Sequence, residues 1–163
     1  MVIRESILIH APLEKVWDTF TDLTCWKSWS TVLTNVSSDV ERITEGKSFK
    51  FCIRPFVLPL NLRPSVELVV PGKRIVWSGR KHGISARHEF IFESHNGTVN
   101  LTSKETFSSS LIKPFMFLFP KKRIRELSTL MLKELKEAAE NSKTQRHDKE
   151  AMLWIKKQAN KNV

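Results

Sequence analysis

Tyrosine is absent from the 163 residues, glycine occurs only five times and cysteine twice. Each shortage removes a class of chemistry. No phenol is available as an acid. No glycine-rich phosphate loop can be assembled, and no His-Glu-x-x-His, EF-hand or Gly-x-Ser-x-Gly pattern occurs. Ser110, His82 and Asp22 are present, but nothing in their spacing brings them together. His10, His82, His88, His95 and His147 lack short metal-ligand spacing, and Cys25 and Cys52 form no Cys-x-x-Cys pair, so neither a metal nor a cofactor is expected. The cysteines are expected to stay reduced, because a chain of this size needs no disulfide. No apolar run reaches the roughly 18 residues of a membrane-spanning helix. Arg4, Glu5 and His10 interrupt the N-terminal apolar stretch, which is unlike a signal peptide, so a cytoplasmic location is expected.

What is present is the composition of a globular domain, 40% hydrophobic and 27% charged. Such a length suits one domain with roughly two-thirds of its unfolded surface buried. The net charge is +10, and the tail 141–163 contributes +4 of it through six Lys/Arg against two acids. That balance permits anionic membranes, RNA or acidic partners without selecting among them.

Residues 2–9 are β-rich and read as a strand. Ala11-Pro12 ends it, and Pro12 suits the entry to a helix. Leu13, Val16, Trp17 and Phe20 then repeat at helical spacing. Residues 24–29 read as a second helical turn with Trp26 and Trp29 on one face. Further on, Phe49, Phe51 and Ile53 alternate with Lys50 and Cys52, the period of a half-buried strand. Strands are expected at 62–70, 74–80, 86–93 and 98–107. Pro71-Gly72-Lys73, His82-Gly83 and Asn96-Gly97 mark the turns, the last a tight hairpin. Connections this short leave no room for crossover helices, so the sheet must be an antiparallel meander. Its cover comes from the last helical pattern: Ile124, Leu127, Leu130, Met131, Leu135 and Ala138 recur at three and four.

This order resembles the START-like, or helix-grip, superfamily, which includes the birch-pollen-allergen fold and the polyketide cyclase/dehydrase family. The opening carries the resemblance: Ala11-Pro12-Leu13-Glu14-Lys15-Val16-Trp17, then Phe20-Thr21-Asp22-Leu23 and Trp26-Lys27-Ser28-Trp29. The last strand ending at Phe107 and a long helix from about Leu111 also fit. The resemblance covers roughly residues 2–140 and implies an α+β helix-grip fold. A curved antiparallel sheet of six to seven strands would surround a long C-terminal helix, with two short helices after the first strand. Residues 1–140 would form the ligand-binding domain and 141–163 a basic extension, helical or partly disordered.

The resemblance also implies an apolar cavity between sheet and helix. Expected lining residues are Phe49, Phe51, Ile53, Phe56, Val66, Leu68, Trp77, His88, Phe90, Phe92 and Leu101, with Phe115, Phe119, Leu127 and Met131 from the helix side. The plainer alternative is that they fill a solid core. Arg54 and Arg63, near a proline-interrupted apolar stretch, could meet a ligand carboxylate at the mouth or simply be surface arginines. Arg87 and His88 are consecutive in a strand, so one faces inward. An inward His88 could hydrogen-bond a ligand or act as a base.

Three functions compete on these readings. The first is a noncatalytic binder or carrier of an apolar small molecule such as a lipid, polyketide-like or aromatic compound. The second is a cyclase/dehydrase-like enzyme, which would need polar residues converging on the cavity; any cyclase mechanism with a tyrosine acid is excluded. The third is an interaction or nucleic-acid-binding module without a cavity. Nucleic acid is disfavoured because the aromatics occupy strand interiors and the first helix rather than a basic surface. Phe115 to Phe119 beside Lys121, Lys122, Arg123 and Arg125 have the make-up of a lid that touches anionic membranes transiently, or of a solvated helix start.

Overall fold

The computed structural model describes residues 1–55, 59–81, 83–109 and 121–159, with side chains described up to Asn141 except that of Ser109. The expected lining residues Phe56, Phe115 and Phe119 and the expected helix start near Leu111 lie outside the described residues. The chain opens with strand β1 (Val2–Ile9), helix α1 (Leu13–Thr21), a 3-10 turn (Leu23–Cys25) and helix α2 (Trp26–Trp29). Strands β2 (Thr34–Ser38), β3 (Phe49–Ile53), β4 (Leu60–Leu62), β5 (Ser65–Val70), β6 (Arg74–Lys81), β7 (Ile84–His95) and β8 (Thr98–Ser109) follow, then helix α3 (Lys121–Ala159).

The stretch 62–70, expected as one strand, divides at Arg63-Pro64 into β4 and β5. Proline donates no backbone hydrogen bond and breaks the ladder there. The eight strands among the described residues consequently form two hydrogen-bonded sheets, ordered β1-β8-β7-β6-β5 and β2-β3-β4. An isolated bridge between Ser48 and Ser65 links them.

The longest pairing is the β7–β8 hairpin. Its two turn residues, Asn96 and Gly97, have φ of 48° and 76°. Both lie in the left-handed region that a tight hairpin turn of this hand requires. The turn fixes the register of twelve facing pairs, from His95–Thr98 to Ile84–Ser109. On the inner face this sets Phe90 beside Ser103 and His88 beside Glu105. On the outer face Glu89 is buried among cations: it pairs with Arg74 and lies 3.7 Å from Lys104 and 4.0 Å from Arg87.

One end of the core is aromatic. Phe20 of α1 lies 4.5 Å from Phe90 and 5.9 Å from Trp77, centroid to centroid. Trp26 packs edge-on to Phe49 at 5.7 Å and donates its indole N–H to the Phe20 carbonyl at 2.8 Å. The buried indole thereby keeps a hydrogen-bond partner. The tryptophan-rich opening therefore seals this end of the sheet.

Helix α3 lies along the sheet with Ile124, Met131, Leu132, Leu135 and Ala139 buried. Leu130, expected on that face, is 43% exposed, and Leu132 and Ala139 take part instead. One residue step turns the helix by about 100°, which carries Leu130 away from the stripe through Ile124, Met131 and Leu135. Polar bonds pin the middle of the helix. Glu134 accepts from the Thr31 N–H at 3.0 Å and from the Ser30 hydroxyl at 3.3 Å. Lys136 donates to the Leu8 carbonyl at 2.7 Å, and Glu140 accepts from the His10 N–H at 2.7 Å. No helix among the described residues is long and apolar enough to cross a membrane.

Candidate functional site

Where β6 to β8 run beyond the aromatic core, helix and sheets border a half-open cavity of about 500 Å³. That is an ordinary size for a small-molecule site. Ile124, Leu127, Ser128 and Met131 form its helix wall, and Phe51, Ile53, Leu60 and Leu62 its wall on the smaller sheet. Trp77, Gly79, Ile84, Ala86, His88, Glu105 and Phe107 line it from the larger sheet. The pinned middle of α3, with Leu132, Leu135 and Ala139, packs into the core, while Ile124, Leu127, Ser128 and Met131 border open space.

The cavity brings together Phe51, Ile53, Trp77, His88, Leu127 and Met131 of the expected lining. Phe49, Val66, Phe90, Phe92 and Leu101 are instead packed in the hydrophobic core and border no part of it. Leu68 is half-buried opposite Val76 in the β5–β6 pair. Arg63 borders the cavity and Arg54 is exposed away from it. Arg87 also borders it, but its guanidinium is engaged by Glu67 at 2.9 Å.

Between the two consecutive candidates in β7, it is His88 that joins the inner face. Its ring stacks on Phe90 with centroids 4.0 Å apart and meets Trp77 edge-on at 5.4 Å. Nδ1 lies 3.0 Å from Glu105 Oε1, and Nε2 lies 2.6 Å from Ser103 Oγ. The His88 and Glu105 side chains keep 13% and 18% exposure, which they owe to the cavity they line. Burial drives both groups toward their uncharged forms. The Glu105 carboxyl is pushed up to about 7 and the His88 imidazole down to about 3. Near neutrality on its acid side, their contact is therefore a hydrogen bond between neutral groups rather than an ion pair. Glu105 Oε2 is buried with no hydrogen-bond partner among the described residues.

Ser103, His88 and Glu105 stand in the relative order of a hydrolytic triad, yet Ser103 is only 1% exposed and does not border the cavity. A nucleophile must reach its substrate; here the hydroxyl supports the imidazole instead. Sequence reasoning did not single out Ser103 or Glu105. The signal for both was the hairpin: residues equally distant from Asn96-Gly97 face each other, which pairs Glu105 with His88. Among the described residues, no group of three His, Cys, Asp or Glu side chains is placed to hold a metal ion.

The fold is widely shared. Similar solved structures include the protein TTHA0849 from Thermus thermophilus, with a TM-score of 0.72 at 14% identity, covering 85% of this chain and 97% of that one. The Zhui aromatase/cyclase from Streptomyces sp. R1128 aligns with a TM-score of 0.73 at 11% identity, over 86% of this chain and 94% of its own. Ara h 8.0201 aligns with a TM-score of 0.68 at 8% identity, over 85% and 97%. Identities this low establish the shared helix-grip architecture alone. No curated protein matches the sequence significantly. The family is settled by the sequence itself: residues 1–140 match the model described as polyketide cyclase/dehydrase and lipid transport, and the chain belongs to that family.

Proposed function

We propose that this protein binds, and carries without covalent chemistry, an apolar small molecule held between α3 and the sheets. The observation that carries this reading is the cavity itself: about 500 Å³, with a wall built mainly of Phe51, Ile53, Trp77, Leu127, Met131 and their apolar neighbours. Transfer of an apolar molecule from water to such a wall is favourable by roughly 25 cal/mol per Å² buried. The family's description, which includes lipid transport, agrees with it.

The test compares the wild type with Ala86→Trp, which places an indole in the cavity. Each protein is purified without detergent and extracted with organic solvent, and the extract is analysed by mass spectrometry beside a mock preparation. Both are then titrated with 2-methylnaphthalene. A stoichiometric apolar compound or naphthalene binding in the wild type, reduced in the variant, supports the reading. A clean extract together with no binding of the probe overturns it.

A second reading, a cyclase/dehydrase-like enzyme on an aromatic or polyketide-like substrate, is favoured by one observation. His88 and Glu105 both border the cavity and could exchange a proton with a bound molecule. Conversion of a bound compound that depends on His88, followed by mass spectrometry of the released product, would select it over carriage.

A further inference from the structure

The smaller sheet runs beside the end of β6 without joining its ladder. Ser65 pairs with Ser78, and a Cβ added at Gly79 would lie 3.6 Å from Pro64 Cα. Further along β6 a side chain takes over the contact: Lys81 Nζ donates to the Asn61 carbonyl of β4. Trp77, Gly79 and Lys81 alternate on the inner face of β6, and all three border the cavity, as does Asn61. The lysine therefore crosses the seam between the two sheets at the edge of the cavity. It stands about 13 Å of strand beyond Trp77.

The charge at this edge is one-sided. The Lys81 ammonium has three N–H groups, and the Asn61 carbonyl takes one of them. That bond is exposed, so the remaining N–H groups are open to an incoming molecule. Arg63 and Arg80 also border the cavity and are exposed; like Lys81, they have no ion-pair partner among the described residues. Arg87 is already engaged by Glu67. Among the described lining residues the acid is Glu105, and it lies at the other end, level with His88 and Trp77.

We propose that Lys81 anchors the anionic head, a carboxylate or phosphate oxygen, of an amphiphilic ligand whose apolar tail runs inward toward Trp77. This rests on the ligand-binding reading above and adds to it the chemical class of the ligand and the direction in which it lies.

The uncompensated cations select the sign of the head. A cationic head would be repelled by all three, and a neutral head would gain little from them. An anion is attracted by each, and low-dielectric walls focus their field at the mouth. The bond to Asn61 holds Nζ at the seam in advance, so less side-chain freedom is lost when the head arrives. Joining two sheets needs no charge, because an amide N–H also donates to a carbonyl. Between Lys81 and Trp77 the tail would meet Leu60, Leu62 and Ile84.

The test titrates decanoate, decyl phosphate and decanol calorimetrically into the wild type, Lys81→Gln, Lys81→Arg and Ala86→Trp, at about pH 6, where a carboxylate head is ionised. The quantity read is the dissociation constant of the alcohol divided by that of each anion, so that burial of the shared tail cancels. Lys81→Gln should lower this ratio by about fivefold, the upper range for a partly exposed charge pair. Lys81→Arg should keep most of it. The anion whose ratio falls further identifies the head as carboxylate or phosphate. Ala86→Trp, which fills the cavity, should weaken all three probes. An unchanged ratio in Lys81→Gln, with the alcohol still bound, overturns the proposal and leaves the cavity reading standing. Anions bound by Ala86→Trp at wild-type strength also overturn it, because the tail then lies outside the cavity. Absence of binding of all three to the wild type overturns it as well, and 2-methylnaphthalene then decides whether the cavity reading survives. Binding of decanol by Lys81→Gln shows that its cavity is formed; Lys81→Met replaces it, with the same expectation, if the glutamine chain does not fold.

Discussion

His88 Nδ1 lies 3.0 Å from Glu105 Oε1, and the two residues stand equally far along their strands from the Asn96-Gly97 turn. The pair titrates in a way that can be read as stability. Burial raises Glu105 from 4.5 to about 7, so between those values the native chain holds a proton that the unfolded chain has released. Its contribution is complete below about 4.5 and is lost as pH rises toward 7. His88 runs oppositely: lowered from 6.5 to about 3, it costs stability as pH falls through that interval. The two effects oppose each other between 4.5 and 6.5, leaving an acid-side decline due to His88 and an alkaline-side decline due to Glu105. Glu105→Gln removes the Glu105 contribution throughout 4.5 to about 7, both the alkaline-side decline and the part that offsets His88. Its unfolding free energy relative to wild type should improve by on the order of 1–3 kcal/mol between about pH 5 and pH 8. Urea denaturation at both pH values checks this, and parallel behaviour of the two proteins would contradict it.

The turn that sets this register can be tested by itself. Gly97 has φ of 76°, and a Cβ added there would meet nothing within 4 Å. Gly97→Ala therefore costs backbone strain alone, about 1–2 kcal/mol. Chemical denaturation should show that loss with an unchanged m-value. Because the strands stay paired, the change should leave naphthalene binding intact. A cost near zero would mean that the turn has relaxed to another form.

Much of this is legible in the sequence. Asn96-Gly97, Pro71-Gly72-Lys73 and the alternation Phe49, Phe51, Ile53 each act over a few residues, and their elements appear where local chemistry puts them. The Ala11 to Trp29 opening was legible as well, through its resemblance to a family. What the sequence hides is the depth at which each inward residue sits. Phe90 and His88 are two residues apart on one face of β7, yet Phe90 is in the core beneath Phe20 while His88 borders open space. Alternation specifies a face and not a position along the helix that covers it. Leu130 shows the same limit on the helix: its spacing fits an apolar stripe, and only the placement of α3 on the sheet reveals that it points outward. Glu105 was overlooked because a charged residue between Lys104 and Thr106 reads as solvent-facing, although it has the inward parity of Leu101 and Ser103.

Glu134 ties α3 to the chain just after α2. One carboxylate accepts from the Thr31 N–H, the Thr31 hydroxyl and the Ser30 hydroxyl. Glu134→Ala leaves those donors without this partner and should cost about 1–3 kcal/mol. Hydrogen exchange offers a local readout: the Thr31 amide should lose protection beyond the change in global stability, whereas the Trp77 amide in the central sheet should follow global stability. Equal changes at both sites would mean that the bond set is not a local clamp.

The division between core and cavity wall predicts two unlike truncations. Phe90 is fully buried and contacts Phe20, Trp77 and His88 through its ring. Phe90→Ala removes that ring from a closely packed interior and should cost about 3–5 kcal/mol. Leu127 is only partly buried and already borders the cavity, so part of its surface has no protein partner to lose. Leu127→Ala should therefore cost less than the roughly 2–5 kcal/mol usual for a fully buried leucine, while enlarging the site. A bulkier apolar probe, 2-tert-butylnaphthalene, should gain affinity relative to 2-methylnaphthalene in Leu127→Ala and in no core variant that still folds. Equal destabilisation by the two truncations, with no change in probe preference, would place Leu127 in a solid interior and close the space that the ligand is argued to occupy.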